Sequence, residues 1–465
     1  MERSKFFWLS FSSLRDATTR KAPAMSTQQP PDQHAHTTEP ESHDSHGEGS
    51  RVTVPGPATV ASGAVGFAKS RRASLLGAIF LMATSAIGPG FITQTATFTA
   101  TLGAAFAFGI LVSILIDFIV QANIWQIITL SGKRAAELAN AAIPFSGYVL
   151  SVLVIVGGLV FNIGNIAGAG LGMNALFGLD TKLGGAISAI LAIAIFLSHR
   201  AGIIMDRAII VLGVVMVLLT IAVAIAANPP VGEALRQTVL PDTIDFAAIT
   251  TIVGGTVGGY ITYAGAHKLL DSGTAGPEHI KEVTRSAFFG IAVTGIMRYV
   301  LFLAFLGVTA SGVLLDLSAN PAAQAFEAAA GEWGMRAFGL VLWAAALSSV
   351  IGAAFTSVSF MTVFSAKLDL RRRSWATVIF IAVGLVAYLL MGTTPVALLV
   401  FAGGFNGLIL PIGFTVFMYI AWFRRDLLNG HRVNPWLLWL GTLMTILTWY
   451  MGVVSFSTIF KFLGA

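Results

Sequence analysis

The chain has 465 residues, of which 55% are hydrophobic and only 11% are charged, and its mean hydropathy is +0.80. Soluble domains carry about a quarter of their residues as charged side chains, so this chain has too little charge to cover a surface that faces water. It contains no Cys, which excludes disulfide bonds, thiolate metal sites and Cys nucleophiles. The composition predicts a membrane protein.

The first element in chain order, residues 1–70, differs in composition from the rest. It holds four of the eight His and carries 7 basic and 7 acidic residues, so 7 − 7 leaves it neutral and the net charge of +6 belongs to the remainder. A segment this polar cannot bury enough apolar surface to fold, and we expect a disordered cytoplasmic tail. Its His residues could hold a soft metal loosely; a solvated linker is the alternative.

Eleven apolar segments follow, with lengths suited to crossing a hydrocarbon core of ~30 Å. Spans one to eleven are predicted at residues 74–100, 104–129, 145–176, 183–198, 206–226, 247–269, 286–309, 336–365, 374–391, 394–421 and 435–458. The pattern predicts an all-α, multi-pass membrane protein.

Charge in the loops predicts the orientation of these spans. Assigning alternate loops to the two sides puts 17 Lys and Arg residues on one side and 4 on the other. Because cytoplasmic loops are enriched in Lys and Arg, we expect a cytoplasmic N-terminus and an external C-terminus in the inner (plasma) membrane. The basic surplus is then a signal of topology, and no nucleic-acid partner is expected.

Spans one and six each contain a glycine-rich interruption near mid-membrane, where Gly permits unwinding and Pro removes a backbone donor. Residues 88–93 (GPGFIT) align with residues 257–262 (VGGYIT) at a constant offset of 169 residues. Because the breaks lie five spans apart, the second copy enters the membrane from the opposite face. Inverted five-helix repeats with a broken first helix are typical of one class of secondary transporter. The alternative is a pair of glycine-rich packing kinks.

This pattern divides the chain into an N-terminal tail at 1–70, a first five-helix repeat at 71–232, a second, inverted repeat at 243–425, and an eleventh helix with the C-terminus at 433–465. Transport by alternating access is expected to move the two broken helices and their partners against a scaffold of spans three, four, eight and nine.

The breaks, with the span order over residues 74–420, resemble those of the NRAMP (natural resistance-associated macrophage protein) proton-coupled divalent-metal transporters of the amino acid, polyamine and organocation superfamily. The resemblance implies that family's fold, but its ligands are missing. The family's first-helix Asp-Pro-Gly-Asn reads Gly88-Pro89-Gly90-Phe91 here, so Gly replaces the metal-binding Asp and Phe replaces the ligand Asn. The sixth-helix Met-Pro-His-Asn falls on Gly258-Gly259-Tyr260-Ile261.

These replacements change the expected substrate. Divalent cations exchange their hydration shell for oxygen, nitrogen or sulfur ligands, and hard cations need carboxylate charge nearby. Half-helix N-termini at the breaks favour a carboxylate instead, so we expect a small carboxylate, an amino acid or a cyclic derivative of one. The expected substrate-binding residues are Gly88, Gly90, Phe91, Thr93, Gln94, Gly258, Gly259, Tyr260 and Tyr263. The alternative is a divalent metal (Mn²⁺, Fe²⁺ or Mg²⁺) with ligands recruited elsewhere.

Ionisable groups inside a membrane are candidates for function. Asp117 is the one carboxylate in a span core and could carry a proton; Arg298 could instead be its structural partner. His267 could titrate near neutral pH or lie at the interface beside Lys268. Asn162 and Asn165 could line the site or pack across helices, and Ser357 lies on the helix that holds sodium in related transporters. The candidate ion-coupling residues are Asp117, Asn162, Asn165, His267, Arg298 and Ser357, with H⁺ or Na⁺ as the ion.

Other classes are disfavoured. A channel needs a repeated filter or ring of charge, and an intramembrane enzyme needs a motif such as His-Glu-x-x-His or paired Asp; the spans contain neither. We therefore expect an ion-coupled, monomeric secondary transporter that is not an enzyme and has no cofactor or structural metal site, with the lipid bilayer and a small solute or ion as its partners.

Overall fold

The structure is a computed structural model that describes residues 88–271, 273–364 and 370–461; the side chains of 199–210 and of 370 and 371 are not described. Over these ranges the chain is helical and contains no β-strand. The predicted tail at 1–70 and the first half of span one lie outside the described residues. The predicted all-α fold is confirmed.

Fourteen α-helices are numbered here in chain order through the described ranges. They are α1 Pro89–Leu102, α2 Phe106–Ser131, α3 Ala135–Ala142, α4 Ser146–Phe177, α5 Thr181–Leu197, α6 His199–Ala226, α7 Val231–Val239, α8 Phe246–Thr256, α9 Ile261–Asp271, α10 Ile280–Ala310, α11 Pro321–Phe360, α12 Leu370–Leu390, α13 Pro395–Phe423 and α14 Pro435–Lys461.

Local sequence explains where several helices begin. Asp180 caps α5 by accepting hydrogen bonds from the backbone N–H groups of Lys182 and Leu183, both at 3.0 Å, and Asp245 caps α8 through Ala248 N at 3.0 Å. Asn320 caps α11 in the same way. Such side chains satisfy first-turn N–H groups that have no partner within the helix.

The eleven predicted spans correspond to α1, α2, α4, α5, α6, the pair α8 and α9, and α10 to α14. Within the described residues, seven stretches are long and apolar enough to cross a membrane by themselves, one of which (Pro89–Ser131) contains both α1 and α2; the number is eight if α6 and α7, bent by 108°, form one span. These stretches account for nine of the eleven spans, and the other two are shorter: α5 has 17 residues, and the broken span six is divided into two helices of 11 residues each. The structure is that of a multi-pass membrane protein.

The spacing of apolar residues did not predict α3, α7 or the first part of α11, which lies before an interruption at Gly331 (φ 66°). These segments are short and lie in what the sequence analysis treated as loops. Their packing against the ends of the long helices stabilises them, a tertiary effect that is invisible to local hydropathy.

Four long helices share one apolar core. Buried side chains of α4, α5, α11 and α12, among them Ile166, Ala189, Val350 and Ile381, pack into a single cluster. These helices are spans three, four, eight and nine, the group expected to form the scaffold. Elsewhere on these helices, apolar side chains such as Ile190 of α5 and Ile379 of α12 are exposed (62% and 59%), as expected for helices that face lipid.

Candidate functional site

The break in span six is present. Helix α8 ends at Thr256 and α9 begins at Ile261, and the four residues between them are not helical. The Gly258 N–H bonds back to Val253 O and Gly254 O at 3.2 and 3.1 Å, which closes the end of α8. The Thr262 hydroxyl donates to Val257 O across the break, so a short polar contact fixes the two half-helices relative to each other.

Two structural features favour glycine at position 259, in the middle of this break. Its φ is +57°, a left-handed conformation that disfavours other residues. A Cβ there would lie 2.0 Å from Asn406 Oδ1 of α13. The Asn406 amide nitrogen donates to Gly157 O of α4 at 3.0 Å and to Ala402 O at 2.9 Å. One amide therefore joins α4 and α13 at the break.

Helix α1 begins at the break of span one. Gly88 is extended (φ −72°, ψ 179°) and Pro89 occupies the first helical position, where its missing N–H costs nothing. The N–H groups of Gly90 and Phe91 are in the first turn, so they have no carbonyl acceptor within α1. The preceding half of the span lies outside the described residues.

Aromatic rings bring the two breaks together. The rings of Phe161 of α4 and Tyr260 meet edge to face with centroids 5.5 Å apart, and a Cβ on Gly90 would lie 4.0 Å from Phe161 Cε1. Phe91 and Tyr260 are each only 1% exposed. Phe161, which the sequence analysis did not select, therefore lies between Tyr260 of the second break and Gly90 of the first.

Gln94 binds α1 to the second repeat. Its amide nitrogen donates to Leu399 O of α13 at 3.0 Å, and the side chain is fully buried. A Cβ on Gly255 of α8 would lie 2.4 Å from Gln94 Oε1, and one on Gly403 of α13 would lie 2.2 Å from Gln94 Nε2. Gln94 thus fills a space that these two glycines leave open. Thr93 beside it is also buried.

Asp117 and Arg298 form an ion pair beside both breaks. Arg298 Nη1 of α10 lies 2.5 Å from Asp117 Oδ2 of α2, and the two side chains are 1% and 0% exposed. The hydroxyl of Thr256, the last residue of α8, lies 3.2 Å from Asp117 Oδ1. The Arg298 guanidinium carbon is 5.6 Å from the centre of the Phe91 ring. The sequence analysis considered Arg298 as a partner of Asp117 but did not place either residue beside the breaks; the structure places the pair there.

His267 is buried rather than interfacial. Its Nε2 accepts the Ala135 N–H at 3.1 Å, and its Nδ1 is 3.3 Å from Ser359 Oγ. Because Nε2 is an acceptor, the ring proton is on Nδ1 and points to Ser359. The Tyr263 ring packs against the rings of His267 and Phe360, with centroids 6.2 and 5.2 Å away. Tyr263 and His267 therefore form a second group in α9, beyond the break.

Asn162, Asn165 and Ser357 lie in the scaffold. Four of their side-chain atoms are buried and have no hydrogen-bond partner among the described residues: Asn162 Oδ1 and Nδ2, Asn165 Nδ2 and Ser357 Oγ. Asn162 faces α12, since a Cβ on Gly384 would lie 3.4 Å from its Nδ2, and Ser357 packs directly against Gly158 of α4. All three side chains are buried, and the contacts of Asn162 and Ser357 are with α12 and α4 rather than with the breaks.

A metal centre is not evident in the described part of the chain. Within residues 88–271, 273–364 and 370–461, no group of three or more His, Asp or Glu side chains lies close enough to hold one ion. The donors at the breaks are backbone groups, hydroxyls and amides, with the Asp117 carboxylate already paired to Arg298.

Comparison with known proteins identifies the family. The model of the family described as natural resistance-associated macrophage protein-like matches residues 79–458. The chain belongs to the Nramp family. It is 50% identical over 384 residues to the uncharacterized membrane protein YcsG of Bacillus subtilis (83% of this chain, 94% of that protein). It is 48% identical over 395 residues to an uncharacterized membrane protein of Haemophilus influenzae (85% and 98%).

Solved structures share the fold of this Nramp chain. A crystal structure of the Eremococcus coleocola manganese transporter, in complex with an aromatic bis-isothiourea substituted compound, matches with a TM-score of 0.67 and 17% identity over 88% of this chain and 90% of that one. A crystal structure of MhsT in complex with L-phenylalanine matches with a TM-score of 0.60 and 17% identity, covering 83% and 98%. The predicted family and transporter fold are confirmed.

Sequence reasoning missed one residue of the site and undervalued another. Phe161 carries no signal, because an aromatic residue in an apolar helix is ordinary. The sequence shows that Asn406 is an amide in an apolar span. Only the structure shows that this amide lies against Gly259, which has a left-handed conformation.

Proposed function

We propose that this Nramp-family membrane protein is an ion-coupled secondary active transporter of the plasma membrane that transports a small carboxylate or amino-acid-like solute by proton symport. We place the N-terminus in the cytoplasm and the C-terminus outside, and we take the protein to be a monomer whose repeats span residues 71–232 and 243–425. It has no enzymatic activity in this proposal.

The observation that carries the proposal is the replacement of the metal ligands at the two breaks. Gly88 and Phe91 stand where the Nramp pattern has Asp and Asn, and Gly258 and Gly259 stand where it has Met and Pro. A divalent cation would find neither a free carboxylate nor a thioether at these positions, and hard cations bind poorly without carboxylate charge. The replacement therefore favours an organic substrate.

The same positions suit a carboxylate-bearing solute. The first-turn N–H groups of Gly90 and Phe91 can donate to a carboxylate at the positive end of α1. Phe91, Tyr260 and Phe161 supply apolar walls of the kind that small organic ligands contact. The proposed substrate-binding residues are Gly88, Gly90, Phe91, Thr93, Gln94, Gly258, Gly259, Tyr260 and Tyr263. The similar fold of MhsT, whose structure contains L-phenylalanine, supports an amino-acid-sized substrate.

We propose Asp117 as the proton carrier, because it is a fully buried carboxylate that contacts Thr256 at the break. Asn162, Asn165, His267, Arg298 and Ser357 complete the candidate coupling residues, and Na⁺ is the alternative ion.

A divalent-metal transporter is the second candidate function. Membership of the Nramp family and the shared fold with a manganese transporter favour it. In that case Mn²⁺, Fe²⁺ or Mg²⁺ would use backbone carbonyls, hydroxyls and amides near the breaks, a weak donor set for such ions.

One experiment separates the two candidates. Purified protein in liposomes is assayed for quenching of a metal-sensitive dye by Mn²⁺ and, in parallel, for uptake of labelled amino acids and simple carboxylates under an inward proton gradient. We expect uptake of at least one carboxylate that is reduced by Phe91→Ala and Tyr260→Ala, and no dye quenching. Strong Mn²⁺ or Mg²⁺ transport that is sensitive to the same two substitutions would overturn the proposal.

A further inference from the structure

The buried Asp117–Arg298 pair connects corresponding helices of the two repeats. Asp117 lies on α2, the second span, and Arg298 lies on α10, the seventh. The pair contacts the broken spans on both sides, through Thr256 at the end of α8 and Phe91 in the first turn of α1. Any movement of the broken helices in transport changes the surroundings of both charges.

The Arg298 guanidinium has unused capacity to bind an anion. A guanidinium carries five N–H donors arranged in a planar fork that matches a carboxylate. Arg298 is only 1% exposed, and its Nε has no hydrogen-bond partner among the described residues. Its ion pair with Asp117 joins Nη1 to Oδ2. A buried guanidinium with an unpaired donor, next to Phe91, is the chemistry that a substrate carboxylate requires.

We propose that Arg298 binds the carboxylate of the transported solute, and that Asp117 forms an ion pair with Arg298 when the substrate is absent. Protonation of Asp117 breaks the ion pair and frees Arg298 for the incoming carboxylate, which couples one proton to one substrate. The inference rests on the proposed carboxylate transport and adds to it the residue that recognises the substrate.

Charge conservation in the membrane supports this exchange. The empty site holds one carboxylate and one guanidinium, with a net charge of zero. After exchange with a monocarboxylate such as pyruvate or L-lactate, it holds a neutral Asp117, the Arg298 guanidinium and the substrate carboxylate, and the sum of these three charges is again zero. An isolated charge buried in a low-dielectric interior is very costly, so a proton and a carboxylate that arrive together avoid that cost. No bond other than the O–H of Asp117 forms or breaks.

The surroundings of the pair leave Asp117 with one charged neighbour. Helices α1 and α8 contribute no ionisable side chain in their described residues. On α10, Tyr299 is bonded to Thr238, and Lys281, Glu282 and Arg285 are at least 13 residues away from Arg298, about 20 Å along the helix. The remaining ionisable groups on helices packed against α2, including the 3-10 helices Pro277–His279 and Arg425–Leu428, are Glu137, Glu233, Arg236, Tyr263, His267, Lys268, Asp271, Glu278, His279, Tyr419, Arg425, Asp426, Tyr450 and Lys461. The charge that acts on Asp117 is that of Arg298.

The test uses the full chain in liposomes with labelled pyruvate, L-lactate, L-alanine, L-proline and L-phenylalanine as probes, between about pH 5.5 and 8. Asp117→Asn imitates the protonated acid, and the double variant Asp117→Asn/Arg298→Gln removes both charges while keeping the site neutral. Arg236→Gln, which neutralises an exposed arginine of α7, is the matched control.

We expect the wild-type chain to take up a probe with a KM that falls as the pH falls. Asp117→Asn should bind that probe with a KM independent of pH, and a proton gradient should no longer drive accumulation. The double variant should fold but lose affinity about tenfold or more, and Arg236→Gln should match the wild type.

Two outcomes would overturn the inference, and they are distinguishable from each other. If the wild type carries a probe and the double variant carries it with unchanged KM and pH dependence, the pair is structural and the carboxylate is bound elsewhere. The double variant decides this even if Asp117→Asn, which leaves Arg298 unpaired, fails to fold. If the wild type carries no probe, the proposed function fails and the inference falls with it.

Discussion

Gly90 and Gly259 are equivalent positions of the repeat, separated by the offset of 169 residues, yet their surroundings differ. Gly259 has φ +57°, and a Cβ there would meet Asn406 Oδ1 at 2.0 Å. At Gly90 a Cβ would make only ordinary contacts, 3.7 Å from Gln94 Nε2 and 4.0 Å from Phe161 Cε1. A single methyl group therefore fits beside Gly90, whereas the space beside Gly259 is filled by protein.

Alanine at these two positions should separate stability from transport. Gly259→Ala introduces a steric clash and an unfavourable backbone conformation, so we expect it to lower the free energy of unfolding by about 1–3 kcal/mol. Gly90→Ala should leave the thermal midpoint of the detergent-solubilised protein unchanged but raise the KM for the transported carboxylate.

Fluorescence-detected thermal unfolding and liposome uptake measure the two effects. A Gly90→Ala protein with wild-type KM would show that the substrate does not occupy the space beside this residue, and a fully stable Gly259→Ala protein would contradict the clash with Asn406.

At the scale of elements, the first turn of α3 is stabilised by a hydrogen bond to a side chain of α9. Arg134 precedes this eight-residue helix and provides no side-chain cap. The acceptor for the first N–H, that of Ala135, is instead His267 Nε2 of α9. Ser359 of α11 in turn orients the imidazole. A protonated His267 would lose the bond to Ala135, because both ring nitrogens would then be donors.

Although His267 is among the candidate coupling residues, its contacts with Ala135 and Ser359 favour a structural role, so His267→Ala should destabilise the protein without changing proton coupling. The Ala135 N–H would be left buried without its acceptor, which costs about 1–3 kcal/mol. We expect a lower thermal midpoint and an unchanged pH profile of uptake. His431→Ala, at an exposed position in the loop before α14, serves as the control and should change neither quantity. A shifted pH profile for His267→Ala alone would assign His267 to the coupling machinery.

For the whole molecule, the asymmetry of 17 basic residues against 4 predicts the orientation in the membrane. The loop that contains Lys133 belongs to the basic side, and Leu314, between α10 and α11, belongs to the other. Both side chains are exposed, Leu314 at 94%. The chain has no Cys, so the wild type provides a background free of reactive thiols.

Single cysteines test this orientation directly. Leu314→Cys should react with a membrane-impermeant maleimide added to intact cells, and Lys133→Cys should react only after permeabilisation. The unmodified chain should remain unlabelled in both conditions. The opposite labelling pattern would reverse the proposed topology, and labelling of both variants in intact cells would exclude an odd number of crossings between these two loops.

Much of the fold was determined by the sequence, because a lipid environment restricts the choice of structure. Backbone polar groups in hydrocarbon must bond within the chain, so long apolar segments form helices, and the predicted spans agree with the helices of the structure to within a few residues at most boundaries. The break at 257–260 was also predicted, since Gly258 and Gly259 disfavour a continuous helix. Short helices such as α3 were not, because their stability comes from contacts with distant residues.

The sequence by itself determined which residue types stand at the breaks, and therefore that Gly88 and Phe91 do not offer the Nramp metal ligands. Only the tertiary structure decided what lies next to them. Phe161 connects Gly90 to Tyr260, Asn406 explains Gly259, and Asp117 meets Arg298 across the two repeats at 2.5 Å. The physical reason is that hydropathy and helix breaks are properties of neighbours in the chain. A buried ion pair depends on the packing of helices that are far apart in sequence.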